Sequence, residues 1–104
     1  TYEGMLDRHV GPHNWMFYLP GWPHHGEWPD LAACRAPSPL MVQYALDDEL
    51  FSADGMKAAH RRIQKHYRSV GKPSNYAGKF YPGRHQFNLK MQVDAFEWLA
   101  KHLR

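Results

Sequence analysis

Cysteine is nearly missing from this chain. Cys34 is the only one in 104 residues, so one copy can build neither an internal disulfide nor a thiolate metal site. Long apolar runs are missing as well. None approaches the roughly 18 residues that a membrane-spanning helix requires, and no signal-peptide pattern opens the sequence. No membrane partner is therefore expected, and the expected compartment is cytoplasmic. Strong charge of either sign is also lacking, with a formal net charge of +3 and a pI near 9.1. A nucleic-acid footprint needs Lys and Arg clustered on one face. The densest basic stretch, HRRIQKHYR, interleaves its charges with apolar positions and reads as the solvated side of a helix, so no nucleic-acid partner is expected. The first residue is Thr1, not methionine, which hints at processing or a missing upstream part.

Apolar residues make up 43% of the chain and aromatics 14%. That is enough for one small domain with a single core, spanning residues 1–104. Residues 1–36 form a loop-rich, aromatic and histidine-rich segment. Pro12, Pro20, Pro23 and Pro29, with Gly11, Gly21 and Gly26, forbid a long helix or a central strand there. PDLAACR, with Pro29 near the first turn, allows a short helix.

Residues 37–104 read as strand, helix, strand, helix. Leu40 to Tyr44 form a short, mostly apolar run after two prolines, the pattern of a buried strand. In ADGMKAAHRRIQKHYRSVGKP, Met56, Ala59, Ile63, Tyr67 and Val70 repeat at helical spacing, and Gly71 with Pro73 marks the stop. YAGKFYP gives a second strand, ended by Pro82 and Gly83. NLKMQVDAFEWLAKHLR gives a closing helix with Asn88 as N-cap. Leu89, Val93, Phe96, Leu99 and Leu103 are its expected buried stripe. Two strands joined through such a helix form a right-handed parallel unit, so the fold class is α/β, a βαβα unit preceded by the long aromatic loop.

In open α/β sheets the chemistry sits at the carboxyl ends of the strands. The first strand ends in Asp47, Asp48 and Glu49, the second in Pro82-Gly83-Arg84-His85. Adjacent parallel strands would bring an acid and His85 to one edge. A carboxylate that accepts from one imidazole nitrogen frees the other to act as a base.

With these residues in view, APSPLMVQYALDDELFSADGMKAAH and FYPGRHQFNLKMQVDAFEWL resemble the last two strand–helix units of the α/β-hydrolase fold, closest to its dienelactone-hydrolase, acyl-peptidase and acetyl-esterase branches. HNWMFYLPGW resembles the segment preceding the penultimate strand, near the active-site entrance. The resemblance implies a serine esterase or peptidase triad with Asp48 as acid and His85 as base, acting on a small acyl ester or peptide. The G-x-x-D-x-x-F spacing favours Asp48 over Asp47, although Ala45 stands where the family prefers Gly, and Glu49 is read as a solvated neighbour. No cofactor is expected. The family's nucleophile lies upstream in G-x-S-x-G, yet Ser38, Ser52, Ser69, Ser74 and Cys34 occupy no such elbow. The expectation is a C-terminal part of a hydrolase, inactive by itself.

Two other readings stand beside it. The chain could be a non-catalytic module that oligomerises or binds a partner, and the bare edge of so small a sheet predicts a homodimer through paired edges. It could instead bind a metal through His9, His13, His24 and His25, but their spacing shares no face. His60 and His66 are expected at the surface, and His102 near a helix C-terminus. Trp15, Phe17, Tyr18, Trp22 and Trp28 either line a substrate mouth or cover the sheet.

Overall fold

A computed structural model describes residues 1–8 and 19–103. Four helices and two strands follow in the order α1 (Tyr2–Arg8), α2 (Trp28–Ala33), β1 (Leu40–Ala45), α3 (Ala53–Ser69), β2 (Tyr76–Tyr81) and α4 (Leu89–His102). Single 3₁₀ turns precede α2 and β2, at Trp22–His24 and Pro73–Asn75. The two strands pair in parallel, Leu40 opposite Tyr76 through Ala45 opposite Tyr81. A small mixed α/β unit is thus the observed architecture.

Side chains alternate across the strands and so divide the sheet into two faces. Leu40 and Val42 of β1 and Tyr76 of β2 pack with Ile63 and Tyr67 of α3, and Tyr44 stacks on Phe80 at 4.7 Å between ring centres. Ile63 and Tyr67 are 2% and 0% exposed, so the core lies between α3 and this face. The Tyr67 hydroxyl reaches the Ser38 carbonyl at 2.6 Å, which satisfies the one polar atom that burial would strand. On the other face Gln43 donates to the Met91 carbonyl of α4 at 2.8 Å and to the Tyr81 hydroxyl at 3.0 Å. Tyr81 in turn donates to Asp94 at 2.6 Å, and Lys79 pairs with the same carboxylate at 2.9 Å. A helix therefore covers each face of a two-stranded sheet.

Capping sets the helix limits. Ser52 accepts from the Gly55 N–H and Asn88 from the Met91 N–H, both at 3.1 Å. At the end of α3, Gly71 adopts φ +70°. Its N–H bonds the Arg68 carbonyl, and that of Lys72 bonds the Tyr67 carbonyl, the two bonds of a Schellman stop.

Four expectations change. Besides the short helix allowed at PDLAACR, residues 1–36 hold a second one, α1, where irregular backbone was expected. In α1, Thr1 accepts from the Gly4 N–H at 3.1 Å while Tyr2 and Met5 are buried, and a seven-residue helix is too short for its stripe to show against the breakers that follow. Val70 is 50% exposed because it follows the last turn of α3 as its cap. The stripe of α4 is not buried: Leu89, Val93, Phe96, Leu99 and Leu103 are all exposed. Met91 and Asp94 face the sheet instead, and about 100° per residue puts Leu89, Val93, Phe96 and Leu103 on the opposite side of the helix. His60 is half-buried and engaged by the sheet, where a solvated surface position was expected. Its Nδ1 lies 2.9 Å from the Tyr76 hydroxyl, and its ring meets Phe80 edge-on.

Candidate functional site

Both strands end on the same edge, and their exits are tied together before any site residue is reached. The Asp47 N–H donates to the Gly83 carbonyl at 3.0 Å, and the Gly83 N–H returns to Asp47 Oδ2 at 2.7 Å. Gly83 stands at φ +107°, where a side chain would be strained. The turn after β2 is thereby held against the turn after β1.

The pair follows at once, one residue after Asp47 on one side and two residues after Gly83 on the other. Asp48 Oδ2 lies 2.8 Å from His85 Nδ1, and Asp48 Oδ1 accepts from the Leu50 N–H at 2.8 Å. The carboxylate is pinned through both oxygens. Its side chain is 7% exposed, whereas that of His85 is 71% exposed. An ionised carboxylate only accepts, so Nδ1 carries the proton and Nε2 keeps the lone pair of a neutral ring. The arrangement can orient an imidazole, stabilise its charged form and let Nε2 take a proton.

Asp48 and His85, 37 positions apart in sequence, are thus brought together, and Asp47 is the residue that braces them. Glu49 is exposed and sits 3.5 Å from Arg84. Trp28 packs against Tyr2 of α1, with ring centres 5.9 Å apart, and Trp22 packs against Trp28 at 6.2 Å. Trp15, Phe17, Tyr18, His9 and His13 lie outside the described residues, as does most of HNWMFYLPGW. Among the described residues no group of three or more His, Cys, Asp or Glu could hold a metal ion, and no helix is long and apolar enough to cross a membrane. His66 pairs with Asp30 at 2.9 Å, and His102 packs against Trp98 with the rings tilted and their centres 4.0 Å apart.

A cavity of about 340 Å³ opens beside the pair. Its lining runs along β1 from Val42 to Ala45 and includes Met5, Met56 and Met91 as well as Asp48 and His85. The three methionines were not anticipated, because they come from α1, α3 and α4 and only the fold assembles them. Ser52 and Thr1 also line it, but their hydroxyls cap helices, and among the described residues no hydrogen bond joins either to His85.

A second cluster lies away from the strand ends. Asp30 receives two bonds from Arg62, at 2.6 and 2.8 Å, one from His66 and one from the Glu27 N–H. Glu27 in turn accepts from the Tyr2 N–H at 2.7 Å. The Arg62 hydrogen bond holds the Asp30 carboxyl far below the ordinary carboxylate range. Burial, with the charges of Arg61 and Arg68 behind it, lowers the pKa of His60. Every strong donor around Asp30 is matched within the fold, which marks the cluster as a tie between helices. Comparisons of the chain with protein-family models, with curated proteins and with solved structures found no match.

Proposed function

We propose that Asp48 and His85 are the acid and base of a hydrolase-type acyl-transfer site. In this reading the nucleophilic hydroxyl comes from outside the described residues. The observation that carries it is the 2.8 Å contact between Asp48 Oδ2 and His85 Nδ1, at the carboxyl ends of two paired parallel strands and beside a cavity. Both helices are needed to set that distance, since α3 returns the chain from β1 to β2 and α4 closes the sheet.

In the proposed reaction Nε2 of His85 removes the proton from the attacking hydroxyl or water, and Asp48 holds the ring and balances the imidazolium that forms. The proton then passes to the leaving group. An α/β-hydrolase-like ancestry agrees with the strand order and with the acid preceding the histidine, and the substrate would be a small acyl ester or peptide. A positioned base alone contributes about 10²- to 10⁴-fold to such a reaction. The test is hydrolysis of p-nitrophenyl acetate by the chain and by His85→Ala and Asp48→Asn. The expected result is weak hydrolysis that falls to the buffer rate in His85→Ala and severalfold in Asp48→Asn. Equal rates in all three would remove the base role.

A further inference from the structure

The cavity beside His85 follows the open edge of β1, and the backbone there has partners to offer. Among the described residues the sheet contains only β1 and β2, so β1 pairs on one side alone. The Leu46 N–H bonds the Tyr81 carbonyl. Alternation along the strand places the backbone groups of Val42 and Tyr44 on that same paired side. Those of Met41, Gln43 and Ala45 then point to the open edge, although the Ala45 carbonyl already accepts from the Asp48 N–H at 3.2 Å, which leaves its N–H to offer. A row of fixed donors and acceptors is a template for another strand. Here it borders a cavity lined by the four consecutive residues Val42 to Ala45.

The walls set the occupant's chemistry. Met5, Met56, Ala59 and Met91 line the slot; its only carboxylate and imidazole, those of Asp48 and His85, stand at one end, Tyr44 adds a neutral phenol, and no Lys or Arg lines it. Methionines adapt to irregular apolar shapes. A ligand lying there is therefore apolar and uncharged along its length, with alternating backbone donors and acceptors that match the dipoles of the edge. Four strand residues at about 3.3 Å each offer about 13 Å of pairing length, and 340 Å³ falls within the roughly 300–1,000 Å³ of ligand sites.

We infer that the open edge of β1 binds a short, extended, apolar peptide segment by strand addition, with one end of the segment beside His85. The segment contributes main-chain bonds to Gln43 and Ala45 and side chains to the methionine walls, the two terms by which strand addition gains affinity and selectivity. A second copy of the chain is a poor occupant. Its own β1 edge is flanked by its own Met5, Met56 and Met91, so two walled edges would have to enter one slot. The inference stands apart from the acid–base chemistry, because His85→Ala removes the proposed base and leaves the edge intact.

The experiment uses acetyl-Ala-Val-Ala-Val-amide and two analogues, N-methylated at both alanines or at both valines. Titration is followed by backbone amide shifts in the full chain. Strand addition predicts that Met41, Gln43 and Ala45 amides shift while Val42 and Tyr44 amides move least. It also predicts that one N-methyl isomer binds like the parent and the other at least tenfold more weakly, since only one blocks the pairing side. Ala59→Leu, which fills the slot from α3, should weaken binding by a similar factor at unchanged melting temperature. Lys101→Ala, on α4 and outside the slot lining, should keep the parent affinity within about twofold. Equal binding of the two isomers would reduce the site to an apolar pocket and overturn strand addition. So would an absence of shifts at millimolar peptide, or protection of the same three amides without peptide at twice the monomer mass, which would give the edge to a second copy.

Discussion

At the scale of single residues, two titrating groups tie stability to pH with the same sign. Asp30 has a folded pKa depressed by Arg62, so its contribution is present above the unfolded value near 3.9 and is lost as pH falls through the folded one. Burial, with the charges of Arg61 and Arg68, lowers the pKa of His60. Its contribution is complete above the unfolded value of about 6.5 and declines below it. The melting temperature should therefore fall from pH 7.5 to pH 5, and the His60→Gln variant should show a shallower fall between pH 6.5 and 5. Parallel curves for the two proteins would show that His60 is not the group responsible. His85 is 71% exposed and has little packing to lose, so His85→Ala should cost little beyond its bond to Asp48, about 1 kcal/mol. A loss of hydrolysis in that variant is then not a loss of fold.

At the scale of elements, the strongest local signals in the sequence are the ones the structure keeps. A short apolar run after two prolines became β1, one residue longer than its predicted span, and Gly71 and Asn88 mark the helix ends they were expected to mark. These are backbone rules that act over a few residues, so a single sequence contains them. The pairing of Asp48 with His85 was legible for a related reason, since two parallel strands joined by one helix leave their ends on the same edge. What the sequence concealed depends on distant partners. His60 could not be assigned to Tyr76 without knowing that α3 crosses β2 where Gly78 leaves room for the ring. The Asp30 tie needs α1, α2 and α3 together. The α4 stripe predicted a helix correctly but not its rotation, which Gln43 and Asp94 fix through polar bonds to the opposite side. Capping carries a measurable share of α3: Ser52→Ala should destabilise the protein by about 1 kcal/mol. Denaturant titration would detect this as a lower midpoint at constant slope, and an unchanged midpoint would mean that the cap is replaced by water.

At the scale of the whole molecule, apolar surface is the main imbalance. Leu89, Val93, Phe96, Leu99 and Leu103 lie exposed on α4, an apolar strip of the kind that monomers rarely leave bare. The expected outcome is concentration-dependent self-association through this helix rather than through the sheet edge. Val93→Gln with Phe96→Gln should return the sedimentation-average mass to that of one chain at micromolar concentration, with little change in melting temperature because both side chains are already solvated. A wild-type chain that sediments as a compact monomer would count against this. A double variant that loses its fold would show that the strip stabilises the single chain.

The bonds between Asp47 and Gly83 have a further consequence. They run in both directions across the two strand exits, so the exits behave as one plate and not as two hinges. Thermal motion that carries one turn carries the other with it. The separation of acid and base is then insulated from the breathing of the surrounding surface, as the gap between two jaws is preserved when the whole tool is shaken. A site this open to water can hold its internal distance without a buried wall around it, because the residue beside the acid does the holding.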